Sequence, residues 1–150
     1  MTKPHVLFLC TGNSCRSQMA EGWARHLLGD RIQAYSAGIE AHGMNQNAVR
    51  VMGEAGVDIT GQSSKLVATL ADVPLDLVIT VCGNADDNCP AFLRQARVVH
   101  VGFDDPPKLA KTAPNEEVAL NQYRRVRDEI REFVATRLEA LLLRPDSSDR

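Results

Sequence analysis

The chain has 150 residues, enough for a single domain that buries roughly 70% of the surface its unfolded form exposes and needs no metal or disulfide to hold it. Its 44% hydrophobic and 24% charged residues and formal net charge of −2 are ordinary for a soluble domain, and no basic field suits nucleic acid or an anionic membrane. The N-terminal MTKPHVLFLC lacks the apolar length and cleavage site of a signal peptide, and no later run approaches the ~20 residues of a membrane span, so a cytoplasmic protein is expected.

In chain order, Val6 to Leu9 form an unbroken apolar run, the pattern of a strand covered on both faces in a parallel sheet, with Cys10 at its carboxyl end. Thr11, Gly12, Asn13 and Ser14 are turn formers, and Gln18 to Leu28 has helical spacing that Gly29-Asp30 ends. Ile32 to Ala37 reads as a second strand, followed by the polar loop IEAHGMN and a helix capped by Asn45 or Asn47 and stopped by Gly56. Residues 57–64 are loop-like and Lys65 to Leu70 is a short helix candidate. Asp76 to Val81 is the third strand, and it too ends at a cysteine, Cys82.

The segment from Cys82 to Gln95 begins with poor helix formers, so a helix or loop of low stability is expected there. Ala96 to Val101 is the fourth strand. GFDDPPK is expected to be a rigid loop, because its two prolines oppose a continuing helix or central strand. From Asn115 a long amphipathic helix begins, with Tyr123, Val126, Ile130, Val134, Leu138 and Leu141 on one side. Residues 1–143 form the domain and 144–150 a polar, frayed tail. The alternation of strands and helices implies an open parallel α/β sheet with its site at the strands' carboxyl ends.

The chemistry concentrates in the first strand and its loop. Cys10 and Arg16 enclose five residues, with Ser17 next; between a strand and a helix, this spacing is the signature of a phosphatase anion loop. Loop N–H groups, a helix N-terminus, the Ser17 hydroxyl and the Arg16 fork can stabilise a Cys10 thiolate and hold a tetrahedral oxyanion against it. The candidate anion-binding set is therefore Thr11, Gly12, Asn13, Ser14, Cys15, Arg16 and Ser17. In a reducing compartment, Cys10, Cys15, Cys82 and Cys89 suit reactive or metal-binding roles better than structural disulfides. The zinc reading is weak, because spacings of five and seven lack C-x-x-C knuckles.

CTGNSCRSQMAEG, SAGIEAHGMN, VCGNADDNCP and FDDP, which together span most of the chain, resemble the thioredoxin-coupled arsenate reductases of the low-molecular-weight tyrosine phosphatase-like family. The resemblance implies a four-stranded parallel sheet flanked by helices and an anion loop that takes arsenate in place of phosphate. It also implies a thiol relay: Cys10 forms an adduct with arsenate, Cys82 attacks the Cys10 sulfur and releases arsenite, and Cys89 moves the disulfide to Cys82–Cys89. Thioredoxin would reduce that pair as an external partner, with no bound cofactor and the protein a monomer. Were the segment between Cys82 and Cys89 a continuous helix, the two would lie ~10.5 Å apart along its axis, too far for a disulfide unless it unwound.

Asp105, directly before Pro106, matches the family's general acid, with Asp104 the neighbouring alternative. Pro107-Lys108 stands where tyrosine phosphatases usually carry tyrosine, which removes an aromatic wall for phosphotyrosine. Some relatives bind potassium near the loop; the matching positions here are Asn13, Glu21, Ser36, Ser63 and Lys65. Lysine replaces an aspartate, so its ammonium is expected to take the cation's place, with no metal bound. Cys15 and the scattered histidines His5, His26, His42 and His100 are assigned no catalytic role. The alternatives are a phosphatase acting on phosphomonoesters and a non-catalytic metalloid or redox sensor.

Overall fold

The computed structural model describes residues 3–143; the expected tail at 144–150 lies outside them. Four strands, β1 (His5–Cys10), β2 (Gln33–Gly38), β3 (Leu77–Thr80) and β4 (Arg97–His100), form one sheet in the order β2-β1-β3-β4. All neighbours run parallel, with Cys10 beside Gly38 and Leu9 beside Thr80. Val6, Leu7, Phe8 and Leu9 are completely buried, as the absence of polar alternation requires of a central strand covered on both faces.

This order decides where a site can form. The chain leaves β1 for β2 on one side and returns to β3 on the other, so the connections diverge and leave a crevice at the carboxyl ends of the strands. The segments following all four strands meet there.

The helices that cover the sheet are α1 (Arg16–Leu28), α2 (Gln46–Glu54), α3 (Gly83–Asp87), α4 (Pro106–Ala110), α5 (Glu116–Thr136) and α6 (Leu138–Leu143). The Asn45 side chain caps α2 by accepting from Ala48 N–H at 2.9 Å. Asn115 caps α5 in the same way through Val118 N–H at 2.9 Å. α5 packs against α1, α2 and α4 and buries Leu120, Tyr123, Val126, Ile130, Phe133 and Val134. Trp23 Nε1 on α1 donates to the Arg127 carbonyl at 3.1 Å, tying the two helices together.

Three expectations change in detail. The prolines of GFDDPPK do not keep that segment a loop: Pro106 opens α4, because the first helical residue has no N–H partner to lose and its fixed φ suits the turn. The long C-terminal helix does not run unbroken to Leu141. It stops at Arg137, whose φ of −124° and ψ of −27° interrupt it, and α6 resumes at Leu138, which stays buried. The segment after Cys82 is neither one helix nor a loop. It is the single turn α3, followed by a 3₁₀ turn at Ala91–Gln95.

Candidate active site

The β1 strand delivers Cys10 to a loop whose shape is fixed from outside. After β2, the chain runs alongside this loop as a strap and donates main-chain hydrogen bonds into it. Ile39 N–H reaches Cys10 O at 3.2 Å, Glu40 N–H Thr11 O at 2.8 Å, His42 N–H Gly12 O at 2.9 Å and Asn45 N–H Ser14 O at 3.0 Å. Four of the loop's carbonyls are thereby satisfied. Among the described residues, the N–H groups of Gly12 to Arg16 have no protein acceptor, which leaves a row of donors for an anion. Asn13 takes the left-handed φ of 49° that the tight loop requires, a conformation asparagine tolerates better than most residues.

A cavity of about 280 Å³ opens over this loop, lined by Cys10, Thr11, Gly12, Ser14, Cys15, Arg16, His42, Asp105 and Pro107. Arg16 is held ready: its Nη1 donates to Phe103 O at 2.9 Å, and its Nη2 lies 3.7 Å from Asp105 Oδ2. Asp104 turns away to pair with Arg125 on α5 at 3.1 Å, so Asp105 is the carboxylate at the cavity. Asn13 and Ser17, expected in the cradle, do not line the cavity. Both are fully buried, and Asn13 Nδ2 donates to Ser17 Oγ at 2.9 Å behind the loop.

The four cysteines are free thiols in different settings. Cys10 and Cys82 share a hydrogen bond, so the end of β3 brings the second cysteine against the first. That bond pulls Cys82 down to about 5. Thr11 Oγ1 at 3.2 Å, Ala85 N–H at 3.4 Å and the Arg16 charge act in the same direction, and burial opposes them. The same bond, then burial, pushes the Cys10 thiol up, against Arg16 and the Thr11 N–H. The two shifts oppose one another, so the pair gives up its first proton far more readily than its second. Burial pushes Cys15 up to about 12 against the pull of Arg16, so it is a protonated wall residue at neutral pH. Cys89 stands apart, half-buried, with its Sγ 3.9 Å from the Pro90 carbonyl.

Beneath the loop, Lys65 reaches the positions the resemblance marks for a cation. Its Nζ donates to the carbonyls of Ser36 and Ser63, each at 2.8 Å, and its N–H binds Asn13 Oδ1 at 2.9 Å. Glu21 is buried, accepts from Ser36 Oγ at 2.6 Å and pairs directly with Arg25 at 2.6 Å. Arg25, which the sequence did not single out, is therefore the direct counter-charge, and Lys65 acts on Glu21 at longer range. The ammonium takes the Ser36 and Ser63 carbonyls, the Lys65 N–H takes Asn13 Oδ1 and Arg25 takes Glu21, so the residues present do not fit a further cation.

His42 is the lining residue the sequence reading missed. Its ring lies so close to Gly12 that a Cβ there would sit 2.3 Å from Nδ1, and its Nε2 is 2.6 Å from Glu40 Oε1. The only available signal was topological: a loop leaving the strand beside β1 must end at the same edge.

A family model described as low molecular weight phosphotyrosine protein phosphatase matches residues 5–143. The arsenate reductase of Bacillus licheniformis is 54% identical, over 89% of this chain and 94% of its own. That of Bacillus subtilis is 50% identical, over 87% and 95%. An arsenate reductase solved in its phosphate-binding state superposes with a TM-score of 0.75 at 32% identity, covering 93% of this chain and 96% of that one. The low-molecular-weight protein tyrosine phosphatase of T. tengcongensis gives 0.71 at 25% identity, over 92% and 99%. The chain belongs to the low-molecular-weight phosphotyrosine protein phosphatase family, alongside relatives named as arsenate reductases.

Proposed function

We propose that this enzyme reduces arsenate to arsenite by a thiol relay that thioredoxin regenerates. The observation that carries the reading is that the end of β3 brings Cys82 against the Cys10 loop, its Sγ 3.2 Å from Thr11 Oγ1 and its charge state tied to that of Cys10. Ester hydrolysis needs one nucleophilic thiol; a two-electron reduction needs a second within reach of the first.

Arsenate binds against the donors of Gly12 to Arg16 and the Arg16 fork. Cys10 Sγ attacks arsenic, its proton passes along the hydrogen bond to Cys82, and the departing hydroxide leaves as water with a proton from Asp105. Cys82 then gives up its proton to solvent, and its thiolate attacks Cys10 Sγ. The S–S bond forms as the S–As bond breaks with its electron pair remaining on arsenic, which falls from the +5 to the +3 state and leaves as arsenite. Cys89 thiolate next attacks Cys82 Sγ and frees Cys10. Two thiols have become one disulfide, and a thioredoxin dithiol restores them.

The test is NADPH oxidation with thioredoxin reductase, thioredoxin and arsenate. Arsenate-dependent oxidation is the expected result. Hydrolysis of a phosphate ester without it would point to a phosphatase, and arsenite binding without turnover to a sensor; either would overturn the proposal. Cys89→Ser is expected to stop after one turnover with the Cys10–Cys82 disulfide accumulated. Sustained turnover by that variant would remove Cys89 from the relay. Pro107, which lines the cavity, offers no aromatic face to a phosphotyrosine ring.

A further inference from the structure

The hydrogen bond between Thr11 Oγ1 and Cys82 Sγ, at 3.2 Å, has no direction by itself, since either atom can donate. Its neighbours supply one. Asn88 Nδ2 lies 2.9 Å from the Asn84 carbonyl and 2.9 Å from Asn84 Oδ1. A backbone carbonyl only accepts, so this end of Asn88 is its NH₂, and the Asn84 atom it also reaches is the oxygen. The other end of the Asn84 amide is therefore the NH₂, and it meets Thr11 Oγ1 at 2.9 Å. An amide NH₂ cannot accept. Thr11 accepts from it, and its single proton is left for Cys82.

We propose that Asn84, backed by Asn88, is a positioning residue that locks the Thr11 hydroxyl so that its proton is delivered to Cys82 Sγ, favouring the thiolate of the second nucleophile. The inference rests on the reading of Cys82 as the attacking thiol. The charged and titratable groups acting on Cys82 are the Cys10 thiol from β1 and Arg16 from α1. Asp86, on the same turn as Asn84, is engaged by Thr80 Oγ1 at 3.1 Å. Both asparagines belong to the turn between Cys82 and Cys89, so the lock exists only while that turn is folded.

The test is the pH profile of Cys82 alkylation by iodoacetamide, followed by peptide mass mapping, in the reduced full-length protein without arsenate or thioredoxin. Wild type, Asn84→Ala, Thr11→Val and the double variant are compared. Asn84→Ala is expected to raise the midpoint and slow alkylation at pH 6 by about threefold to tenfold. In the Thr11→Val background it should add nothing, because the hydroxyl it orients is gone. An unchanged profile for Asn84→Ala would overturn the proposal, as would an equal further shift in the Thr11→Val background, which marks a general effect on the turn. Neither substrate nor reductant enters the measurement, so failure here leaves the arsenate assay standing, and failure of that assay leaves this profile readable.

Discussion

Lys65 puts an ammonium among carbonyl oxygens beneath the anion loop. Its ammonium donates to the Ser36 and Ser63 carbonyls, and burial draws its proton affinity down, with Glu21 opposing and Arg25 adding to the shift. Arsenate turnover is expected to be equal in potassium and tetramethylammonium salts at matched ionic strength; a several-fold loss in the organic salt would refute this. Lys65→Ala strips two carbonyls of their donor and should cost about 1–3 kcal/mol in urea unfolding. Cys82 titrates with a definite sign. Its thiol moves from 9.0 to about 5 on folding, so between those values the unfolded chain holds a proton that the folded one lacks. The pair's contribution to stability is therefore greatest near pH 9, is lost as pH falls through 5, and declines again above 9, where Cys10 ionises in the unfolded chain and is held protonated in the folded one. The gap in urea midpoint between wild type and Cys82→Ser should therefore widen from pH 5 to 9, and a constant gap would count against the assignment.

At the scale of elements, the turn between Cys82 and Cys89 meets the Cys10–Arg16 loop where Asn84 donates to Thr11 Oγ1. α3 spans only Gly83–Asp87, so the separation expected of a continuous helix does not apply, and the constraint lies in specific bonds instead. Ala85 N–H caps onto Cys82 Sγ, Asn84 and Asn88 hold each other, and Asp86 holds Thr80. A Cys82–Cys89 disulfide removes the thiolate acceptor and pulls on Asn88. Amide exchange across residues 83–95 is therefore expected to accelerate in the oxidised protein, and equal protection in both states would sink the idea. The strands and the Cys10–Arg16 loop were legible because unbroken apolar runs and fixed spacing are local signals. Pro106 opens a helix where the local pattern reads as a loop, because proline opposes a continuing helix yet suits the first position of a new one. The break at Arg137 was hidden because Leu138 and Leu141 keep helical spacing across it. His42, Arg25 and the Asn84 contact depend on which loops meet, and no local pattern carries that.

Over the whole molecule, the parallel order β2-β1-β3-β4 gathers loops distant in sequence at one end of the sheet. Gly38 marks how tightly two of them join: a Cβ there would lie 2.2 Å from Glu40 O, 2.8 Å from Thr11 O and 2.9 Å from Asn13 N. All three atoms are backbone and cannot swing aside. Gly38→Ala is expected to cost about 1–3 kcal/mol and to weaken oxyanion binding, read as a lower melting temperature with less stabilisation by added arsenate. Retained affinity with unchanged stability would contradict the packing. The bonds between strap and cradle run from main chain to main chain, and Glu40, Ala41 and His42 point enough surface outward to be exposed. The cradle's shape is thus indifferent to most side chains on the strap. The entrance to the cavity can drift in charge and bulk over evolutionary time, retuning which oxyanions enter, while the chemistry beneath it stays fixed.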